Sequence, residues 1–401
     1  MKVIILTEGP FPYGMASTTR LVAYARGMVD AGAEVTVLCT KPTEVTGSPQ
    51  INFRNEGEFK GIKFKYTPGI TLRPKSVFRR ILLYYSGFIK AKIELKKMSE
   101  ESHIDILFMG LTNFWFTWSF SRWSRRNKVL FIQERSEYPF IGINGFWQKF
   151  KLWFYLRYTC KLFNGMIVIT KVLYSYYLNY IQKDARIFLL PMLVESDRFP
   201  ANNKRPEGLP ENYMAYVGNM QGNKDGVPIL IESYAIIARK YPDIHLVLIG
   251  DKDFDGFAKL LELIRERDLS DRVHFTGRIE RDDLPAFLTS ANYLVLARPD
   301  SKQAEGGFPN KLGEYLATGK PIIVTSVGEI PEYLTDGINA FISIPNDSVA
   351  FADKMQEALD DPQRSIKIGA EGRKLVETIF HPKMQAGKML EFFTELIKDQ
   401  F

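Results

Sequence analysis

Residues 294–325 read LVLARPDSKQAEGGFPNKLGEYLATGKPIIVT, and this stretch is the clearest indication of the fold class. A short apolar run is followed by a glycine-containing loop, a helix-length amphipathic segment and a second apolar run. That order predicts a strand, a loop, a helix and a parallel strand, which together form a βαβ unit. Glycines in the loop allow the backbone to approach a bulky ligand closely.

Apolar runs alternate with helix-length segments over the whole chain, as expected for parallel strands that are connected by helices. The N-terminal half predicts strands near 2–7, 34–39, 104–109, 128–133, 165–170 and 186–190. The C-terminal half predicts strands near 213–217, 244–249, 272–276, 292–297, 320–325 and 339–343. The segment 51–67 alternates around Gly61 and predicts a further strand or hairpin. The fold class is therefore α/β, with two Rossmann-like, doubly wound parallel-sheet domains.

The chain length and one proline-containing segment predict the domain organisation. A chain of 401 residues is too long for one typical core. The segment 199–212 contains three prolines and a run of polar residues, which fit neither regular period. We therefore predict an N-terminal domain over 1–199, a linker over 200–212, a C-terminal domain over 213–380 and a final helix over 381–401.

The overall composition is that of a soluble globular protein, with 45% hydrophobic and 25% charged residues. The two cysteines, Cys39 and Cys160, belong to no metal-binding or redox pattern, so we expect two buried, reduced thiols. The first apolar run is too short for a signal peptide, and no uninterrupted apolar stretch is long enough to span a membrane. We expect a cytoplasmic protein.

Charge is distributed unequally along the chain. Up to residue 200 there are 29 Lys and Arg against 15 Asp and Glu, a net charge of +14, and beyond it 24 against 31, a net charge of −7. The segments 75–92 and 146–158 interleave cations with large apolar side chains, which favours contact with an anionic membrane surface. Amphipathic aromatic helices also pack against cores, so both readings stay open. No nucleic-acid-reading motif accompanies the basic half, and we expect no nucleic-acid partner.

In open parallel sheets, ligands bind beyond the carboxyl ends of the strands, so the turns that follow the strands carry the candidate sites. The first of these turns contains Gly9 and Gly14 but does not match the pattern G-x-G-x-x-G. A dinucleotide cofactor is therefore not favoured, whereas a loop that admits a phosphate or a sugar is compatible with the sequence.

Three turns of the C-terminal half combine glycines with cations. The first runs from Gly218 to Lys224, and the second contains Gly277 and Arg278. The third leads from Arg298 through a double glycine to Lys311. Lysine and arginine side chains at these positions can offset phosphate charge, and the predicted helix start at residues 310–312 can present N–H groups to it. A carboxylate one helical turn further on, at position 314, can accept hydrogen bonds from a ribose diol.

The segment 305–321, EGGFPNKLGEYLATGKP, resembles the donor-site motif of glycosyltransferase family four. The resemblance covers nearly the whole chain and is strongest after residue 213. It implies the GT-B fold, in which two Rossmann-like domains face a cleft, and a final helix that crosses back to the N-terminal domain. It further implies a metal-independent glycosyltransferase without a cofactor, which transfers sugar with retention from a nucleotide diphosphate sugar to a glycan or lipid-linked acceptor. Cell-surface polysaccharide biosynthesis is the expected context.

The resemblance also assigns roles to individual residues. Glu314 would bind the ribose hydroxyls, and Arg278 with Ile279 would contact the base. Lys224, Arg298 and Lys311 would stabilise the leaving diphosphate, which is electrostatic catalysis. The sugar and phosphate would be held by the loop residues Gly306, Gly307, Phe308, Pro309, Asn310 and Leu312.

Three departures from the family pattern concern the same sites. Asn219 stands where the family often has an arginine. The family often has Glu-x(7)-Glu. Here Gly306 lies eight residues before Glu314, and Glu305 is offset by one position. Many members carry a histidine after the fourth strand, where this chain has the segment 131–137; Glu134 is the candidate for that catalytic position.

Two other functions have the same paired α/β architecture. A sugar-nucleotide epimerase would need acid and base carboxylates in the N-terminal domain, where Glu134 and Glu137 are available. A two-lobed solute-binding protein would need no such groups, but the phosphate-oriented loop and the short N-terminal apolar run disfavour it. The sequence leaves the base, the sugar and the acceptor open.

Overall fold

A computed structural model of the chain describes residues 1–47, 49–110, 113–139, 145–200 and 203–400. The chain forms two compact units. Unit 1 comprises Met1–Leu193 together with Pro382–Phe401, and unit 2 comprises Val194–His381. The division therefore lies at Leu193, ahead of the proline-containing segment in which the sequence placed the linker, and the described part of that segment belongs to unit 2.

Unit 1 is built around an eight-stranded sheet in the order β10-β9-β8-β7-β1-β2-β5-β4. All neighbouring strands are parallel except β4 and β5, which form an antiparallel hairpin. A separate pair joins β3 and β6. The strands are β1 (Lys2–Thr7), β2 (Glu34–Cys39), β3 (Glu44–Val45), β4 (Glu56–Phe59), β5 (Ile62–Tyr66), β6 (Leu72–Arg73), β7 (Ile106–Met109), β8 (Leu130–Arg135), β9 (Gly165–Val168) and β10 (Arg186–Leu189).

Helices cover both faces of this sheet. Strand β1 is buried along Val3 to Leu6 because residues of both pleat faces meet helices, which is why it reads as a continuous apolar run. The helices are α1 (Ala16–Asp30), α2 (Val77–Glu101), α3 (Phe114–Arg126), α4 (Phe146–Phe154), α5 (Lys171–Leu178) and, from the end of the chain, α14 (Pro382–Gln400). Helix α4 continues into a π-helical turn, Tyr155–Thr159, and a 3₁₀ turn, Cys160–Leu162.

The last helix of the chain packs in unit 1 against α1. At Gly27 of α1, an added Cβ would lie 2.6 Å from the carbonyl oxygen of Pro382, so only glycine permits this approach. Met389, Phe393 and Leu396 of α14 are fully buried in the core that contains the strands of unit 1. The C-terminal residues therefore complete the hydrophobic core of the N-terminal unit.

Unit 2 contains a six-stranded, entirely parallel sheet in the order β13-β12-β11-β14-β15-β16. Its strands are β11 (Asn212–Val217), β12 (Ile244–Ile249), β13 (Val273–Gly277), β14 (Tyr293–Leu296), β15 (Ile322–Thr325) and β16 (Phe341–Ser343). Its helices are α6 (Val227–Ala238), α7 (Phe257–Glu266), α8 (Leu284–Thr289), α9 (Lys302–Glu305), α10 (Asn310–Thr318), α11 (Ile330–Tyr333), α12 (Ser348–Asp360) and α13 (Pro362–Glu377). A 3₁₀ turn, Ser196–Arg198, precedes β11.

The two cysteines and the apolar content of the helices can be compared with the expectations from the sequence. Cys39 and Cys160 are both free and buried, as expected, and burial raises the pKa of the Cys160 thiol to about 11. Among the described residues, no helix is both long and apolar enough to cross a membrane.

Candidate functional site

The candidate site of unit 2 lies where the strand order of its sheet reverses. From β11 the chain proceeds outward through β12 and β13 on one side, and β14 then pairs with β11 on the other side. The carboxyl ends of β11 and β14 flank this switch point, which is the usual ligand crevice of an open α/β sheet. Helices α6 and α10 follow those strands and begin at the same edge, so the positive ends of their dipoles lie there.

The turn after β11 requires glycine for steric reasons. Gly218 has φ +155°, and an added Cβ would lie 2.0 Å from Nζ of Lys311 and 2.6 Å from the hydroxyl of Tyr216. Gly226, at the start of α6, has φ +68°, and a Cβ there would lie 1.9 Å from the carbonyl oxygen of Ala297. The two glycines therefore allow the loop 218–226 to pack closely over the ends of both central strands.

Lys311 is held by a buried ion pair at this switch point. Its Nζ lies 2.5 Å from Oδ2 of Asp225 and 3.3 Å from the hydroxyl of Tyr216. Tyr216 donates a 2.8 Å hydrogen bond to the same carboxylate oxygen. The side chains of Lys311 and Asp225 are only 16% and 6% exposed, so solvent screens their attraction weakly. The predicted cation is therefore present at the site, but its charge is already compensated by an acidic residue that the sequence analysis had not selected.

The pKa values of Asp225 and Lys311 are both lowered, and nearby charges contribute to each shift. Burial tends to raise the pKa of the Asp225 carboxyl, but the Lys311 ammonium and its hydrogen bonds hold that pKa below the ordinary value. Burial lowers the pKa of Lys311, and the positive charges of Arg298 and Lys224 lower it further against the effect of Asp225. Arg298 and Lys224 are thus close enough to Lys311 to repel its charge, so these three predicted cations share one region.

Arg298, which follows β14, is buried rather than extended into solvent. Its side chain is 3% exposed and its Nη2 donates to the carbonyl oxygen of Gln303 at 3.3 Å. The hydroxyl of Thr325 donates to the carbonyl oxygen of Arg298 at 2.5 Å, which ties the end of β15 to this turn. Arg298 therefore supplies a positive charge from inside the turn and also stabilises the loop that contains α9.

Glu314 lies in the second turn of α10 and forms an ion pair that the sequence analysis did not predict. Its Oε1 accepts a hydrogen bond from Nη1 of Arg198 at 3.2 Å. Arg198 also donates to the carbonyl oxygen of Arg281 at 2.9 Å. Burial raises the pKa of the Glu314 carboxyl, and the positive charges of Arg198 and Arg281 oppose that shift. The carboxylate is thus oriented by arginines from the turn before β11 and from the loop after β13.

Two residues assigned to the sugar-binding loop have partners within unit 2. Phe308 is 7% exposed and packs its ring against Tyr333 and Phe380, with centroid separations of 5.6 and 5.9 Å. Leu312 is fully buried, and its backbone N–H donates to the carbonyl oxygen of Pro309 at 3.0 Å. The Phe308 side chain and the Leu312 N–H therefore have partners within the protein, and their assignment to the donor site stays a prediction.

The remaining residues of that loop form a short helix and a tight turn. Ser301 caps α9 by accepting from the N–H of Ala304, and the chain then passes through Glu305 and the buried Gly306 and Gly307 to Pro309 and Asn310, where α10 begins. Glu305 lies 3.3 Å from the ammonium of Lys302 on the same short helix. Glu305 thus has a local partner, and its role in donor binding stays a prediction.

The other predicted donor-site residues are at the surface. Lys224 and Asn219 are exposed in the loop after β11, where Oδ1 of Asn219 accepts from the N–H of Gln221 at 2.9 Å. Arg278 is exposed and Ile279 is half-buried after β13, at the edge of the sheet. None of these side chains contacts the Lys311 pair directly through a hydrogen bond in the described structure.

Glu134, the candidate that replaces the family histidine, belongs to unit 1 and lies near the end of β8. Its Oε1 accepts hydrogen bonds from Nε of Arg20 at 3.0 Å and from the hydroxyl of Ser136 at 2.9 Å. Arg20 is 5% exposed and also donates to the carbonyl oxygens of Leu190 and Pro191 at 2.8 and 2.9 Å. The carboxylate is therefore fixed in a charged, partly buried network at the carboxyl edge of the unit 1 sheet.

The N-terminal glycine loop adjoins the same edge of unit 1. The N–H of Gly9 donates to the hydroxyl of Thr7 at 2.9 Å. At Gly14 an added Cβ would lie 2.3 Å from the hydroxyl oxygen of Thr18 and 2.6 Å from Cγ of Pro10. Both glycines therefore have structural reasons for their positions, and Gly14 allows the loop to fold back onto the first turn of α1.

The sequence analysis missed Asp225, Tyr216, Arg198 and Arg281. Asp225 directly follows the selected Lys224, and an acidic residue within a cationic glycine loop was the available signal. Arg198 lies directly before the proline-containing segment 199–212, where no candidate site was predicted. Taken together, the arrangement combines cations, two helix N-termini and an oriented carboxylate, which suits a phosphate-containing ligand that also carries hydroxyl groups.

The chain resembles known proteins in sequence and in structure. The family model described as "Glycosyl transferases group 1" matches residues 211–361. The D-inositol 3-phosphate glycosyltransferase of Corynebacterium kroppenstedtii is 26% identical over 181 residues, which cover 43% of this chain and 39% of that protein. The N-acetyl-alpha-D-glucosaminyl L-malate synthase of Bacillus anthracis is 24% identical over 189 residues, 47% of each chain. The chain thus spans less than half the length of these curated relatives.

A solved structure extends the likeness to both units. HepE of Anabaena, in complex with UDP and glucose, has a TM-score of 0.69 at 15% identity, covering 98% of this chain and 99% of that chain. At this identity the likeness concerns the fold alone. It confirms the expected α/β fold class of GT-B type, with parallel-sheet domains.

Proposed function

We propose that the chain transfers a sugar, with retention, from a nucleotide diphosphate sugar to a glycan or lipid-linked acceptor, because the family model described as "Glycosyl transferases group 1" matches residues 211–361. The proposed context is cell-surface polysaccharide biosynthesis. The observation that carries the proposal is the cluster of Lys311, Arg298 and Lys224 at the switch point of the unit 2 sheet, next to the carboxylate of Glu314.

In this proposal, Glu314 binds the ribose of the donor. Its Oε1 accepts from Arg198, whereas Oε2 has no partner among the described residues. The side chain is 23% exposed, so a diol can reach the second oxygen. Arg198 fixes the carboxylate before the ligand arrives, which reduces the entropy lost on binding.

The diphosphate would bind beside Lys311. As the sugar–phosphate bond breaks, negative charge grows on the leaving diphosphate, and fixed positive charges stabilise that charge more than they stabilise the ground state. Lys311 and Arg298 are held in place by Asp225 and by the carbonyl oxygen of Gln303, whereas the exposed Lys224 would have to move towards the ligand. We propose that these side chains take over the role that a metal ion has in other transferases.

One observation on a structural relative supports a sugar nucleotide as donor. The solved HepE structure contains UDP and glucose. UDP is therefore the first nucleotide to test, with GDP and ADP beside it.

Thermal unfolding in the presence of UDP, GDP and ADP tests the donor site. We expect one of the three to raise the melting temperature and Glu314→Ala to weaken that nucleotide by about 10- to 150-fold, which corresponds to about 1.5–3 kcal/mol for a hydrogen bond to a charged group. Glu262→Ala, which removes an exposed glutamate of α7, is the matched control. Unchanged affinity in a folded Glu314→Ala protein would contradict the ribose assignment.

We further propose that unit 1 contacts an anionic membrane surface through its aromatic helices. Large apolar side chains of α2 are exposed, including Phe78 at 70% and Ile93 at 63%. On α4, Phe146 and Trp147 are 75% and 71% exposed, and no residue of that helix is buried. Exposed aromatic residues next to cations suit a lipid interface, where apolar area and positive charge both contribute.

Co-sedimentation with vesicles tests this contact. We expect binding to phosphatidylcholine vesicles that contain phosphatidylglycerol, weaker binding as salt is added, and little binding to phosphatidylcholine alone. Equal binding to both vesicle types, or none at low salt, would favour a soluble acceptor.

A further inference from the structure

Unit 1 contains a cavity that none of the sites described above uses. Its volume is about 420 Å³, within the range of small-molecule pockets. It is formed by α4 and the π and 3₁₀ turns that continue it, on one side, and by the end of α5, on the other. Its lining residues are Lys149, Leu152, Trp153, Leu156, Arg157, Lys161, Asn179 and Tyr180.

The charges that line this cavity are all positive. Lys149, Arg157 and Lys161 are exposed, and within the described part of the chain none of them forms an ion pair or a hydrogen bond through its side chain. No carboxylate is among the described residues that line the cavity. Three uncompensated cations around one concave surface create a positive potential that favours an anion.

The same cavity has an apolar wall. Among its lining residues, Leu156 is 8% exposed and Trp153 is 51% exposed. Trp153 also lies 5.7 Å, ring to ring, from Phe150, which connects the cavity to the exposed aromatic face of α4. A ligand that fills this cavity therefore meets cations and an apolar surface that continues to the outside.

The π-helical turn Tyr155–Thr159 determines how α4 and the following 3₁₀ turn surround the cavity. Tyr155 is 1% exposed, and its hydroxyl donates to Oε1 of Gln133 and accepts from Nε of Arg135, both at 2.8 Å. The anchored tyrosine fixes the wide turn against β8. As a result, Lys149 and Trp153 before the turn and Lys161 after it line the same cavity.

We propose that this cavity binds the phosphate headgroup of an anionic phospholipid, with the acyl chains lying along Trp153 and the aromatic face of α4. A free phosphate would satisfy the cations but would leave the apolar wall unused, so the combination favours an amphiphile. The inference deepens the membrane contact proposed above and rests on it. Lipid monomers test the cavity separately, because their binding requires no vesicle surface.

The experiment is calorimetric titration of the full chain with dihexanoyl phosphatidylglycerol below its critical micelle concentration. Dihexanoyl phosphatidylcholine and inorganic phosphate are titrated in parallel. We expect the anionic lipid to bind at least about tenfold more tightly than either of the other two, since only this lipid supplies both net negative charge and apolar chains. The triple variant Lys149→Gln, Arg157→Gln, Lys161→Gln should lose at least about tenfold in affinity for it.

A charge-matched control distinguishes the cavity from general attraction to unit 1. Arg54→Gln, Lys128→Gln and Lys383→Gln together remove the same charge from exposed positions before β4, before β8 and on α14, and should leave the affinity within about twofold. Trp153→Ala tests the apolar wall and should weaken the lipid without changing the binding of inorganic phosphate.

Several results would overturn the proposal. The first is equal affinity of the wild type and the triple glutamine variant for the anionic lipid. The second is a loss of affinity in the control variant as large as that in the triple variant. The third is binding of phosphatidylcholine or inorganic phosphate as tight as that of the anionic lipid. Vesicle binding that survives while monomer binding is absent would reject the cavity and leave the wider membrane contact standing.

Discussion

Removing the carboxylate of Asp225 tests the organisation of the donor site most directly. Asp225→Asn keeps the size and an acceptor oxygen for Tyr216, but it leaves the ammonium of Lys311 without its counterion. Both side chains are largely excluded from solvent, at 6% and 16% exposure, so water compensates the lost attraction only in part.

The loss in free energy of unfolding caused by Asp225→Asn follows from the burial of its ion pair with Lys311. Breaking a buried ion pair by removing one partner costs about 3–5 kcal/mol, and the retained amide oxygen places this change at the lower end, about 3 kcal/mol. For a domain of 150–250 residues, each kcal/mol lowers the melting temperature by about 2–4 °C. We therefore expect the transition of unit 2 to fall by about 6–12 °C in the absence of ligand.

The same change should strengthen nucleotide binding. In the wild type, a diphosphate must compete with Asp225 for Lys311, whereas in Asp225→Asn the ammonium is free to donate to phosphate. A charge-assisted hydrogen bond contributes about 1.5–3 kcal/mol, so the affinity for the stabilising nucleotide should rise by about 10- to 150-fold. The variant should thus be less stable alone and should gain more from the ligand.

Differential scanning fluorimetry with a nucleotide titration measures both effects. Asp271→Asn, which removes an exposed carboxylate at the amino end of β13, controls for net charge and should change neither quantity. An Asp225→Asn protein with the wild-type melting temperature and unchanged nucleotide affinity would refute the reasoning, because Lys311 would then not depend on Asp225.

Three further predictions concern catalysis, pH and unit 1. Turnover should persist in EDTA, since protein cations are proposed to stabilise the leaving group; activity that disappears with chelator and returns with Mn²⁺ would exclude this mechanism. Burial, with nearby positive charge, lowers the pKa of both His245 and His274, whose ring nitrogens lie 2.9 Å apart. The unfolded chain therefore binds protons more readily, so stability is complete above the ordinary pKa of about 6.5 and declines below it. The urea concentration at the midpoint of unfolding should be lower at pH 5.5 than at pH 7.5. In the double variant His245→Asn/His274→Asn this difference should be smaller. Glu134→Gln should reduce stability by about 1–3 kcal/mol, because Arg20 loses its charged partner; a chemical denaturation curve that matches the wild type would contradict this.

Most strands could be predicted from the sequence because buried parallel strands have a simple signature. Strand β1 was expected near 2–7 and lies at Lys2–Thr7, and β12 was expected near 244–249 and lies at Ile244–Ile249. The hairpin around Gly61 was likewise expected and is formed by β4 and β5. Strands covered on both faces are apolar throughout and end at glycine or polar turns, so their positions depend on local sequence alone.

Contacts between distant residues could not be predicted in this way. Asp225 and Lys311 are 86 positions apart, and Arg198 and Glu314 are 116 apart. These pairs form because β11 and β14 are neighbours in the sheet, which is a property of strand order and is not visible in either segment. The burial of Phe308 could not be predicted for a related reason: a glycine-rich loop indicates close approach of the backbone but does not show which side chains turn towards the core.

The contact between Gly218 and Lys311 links the fold to the chemistry proposed for the site. A lysine whose charge stabilises a leaving group must be present in a fixed position before the donor binds, or its ordering costs part of the binding energy. The absent side chain of Gly218 leaves room for the ammonium, and Asp225 holds it there. In the proposed mechanism, that carboxylate would compete with the donor for the same cation. A positioned charge with weakened ground-state binding would then favour stabilisation of the charge that develops during transfer over tight binding of the intact donor.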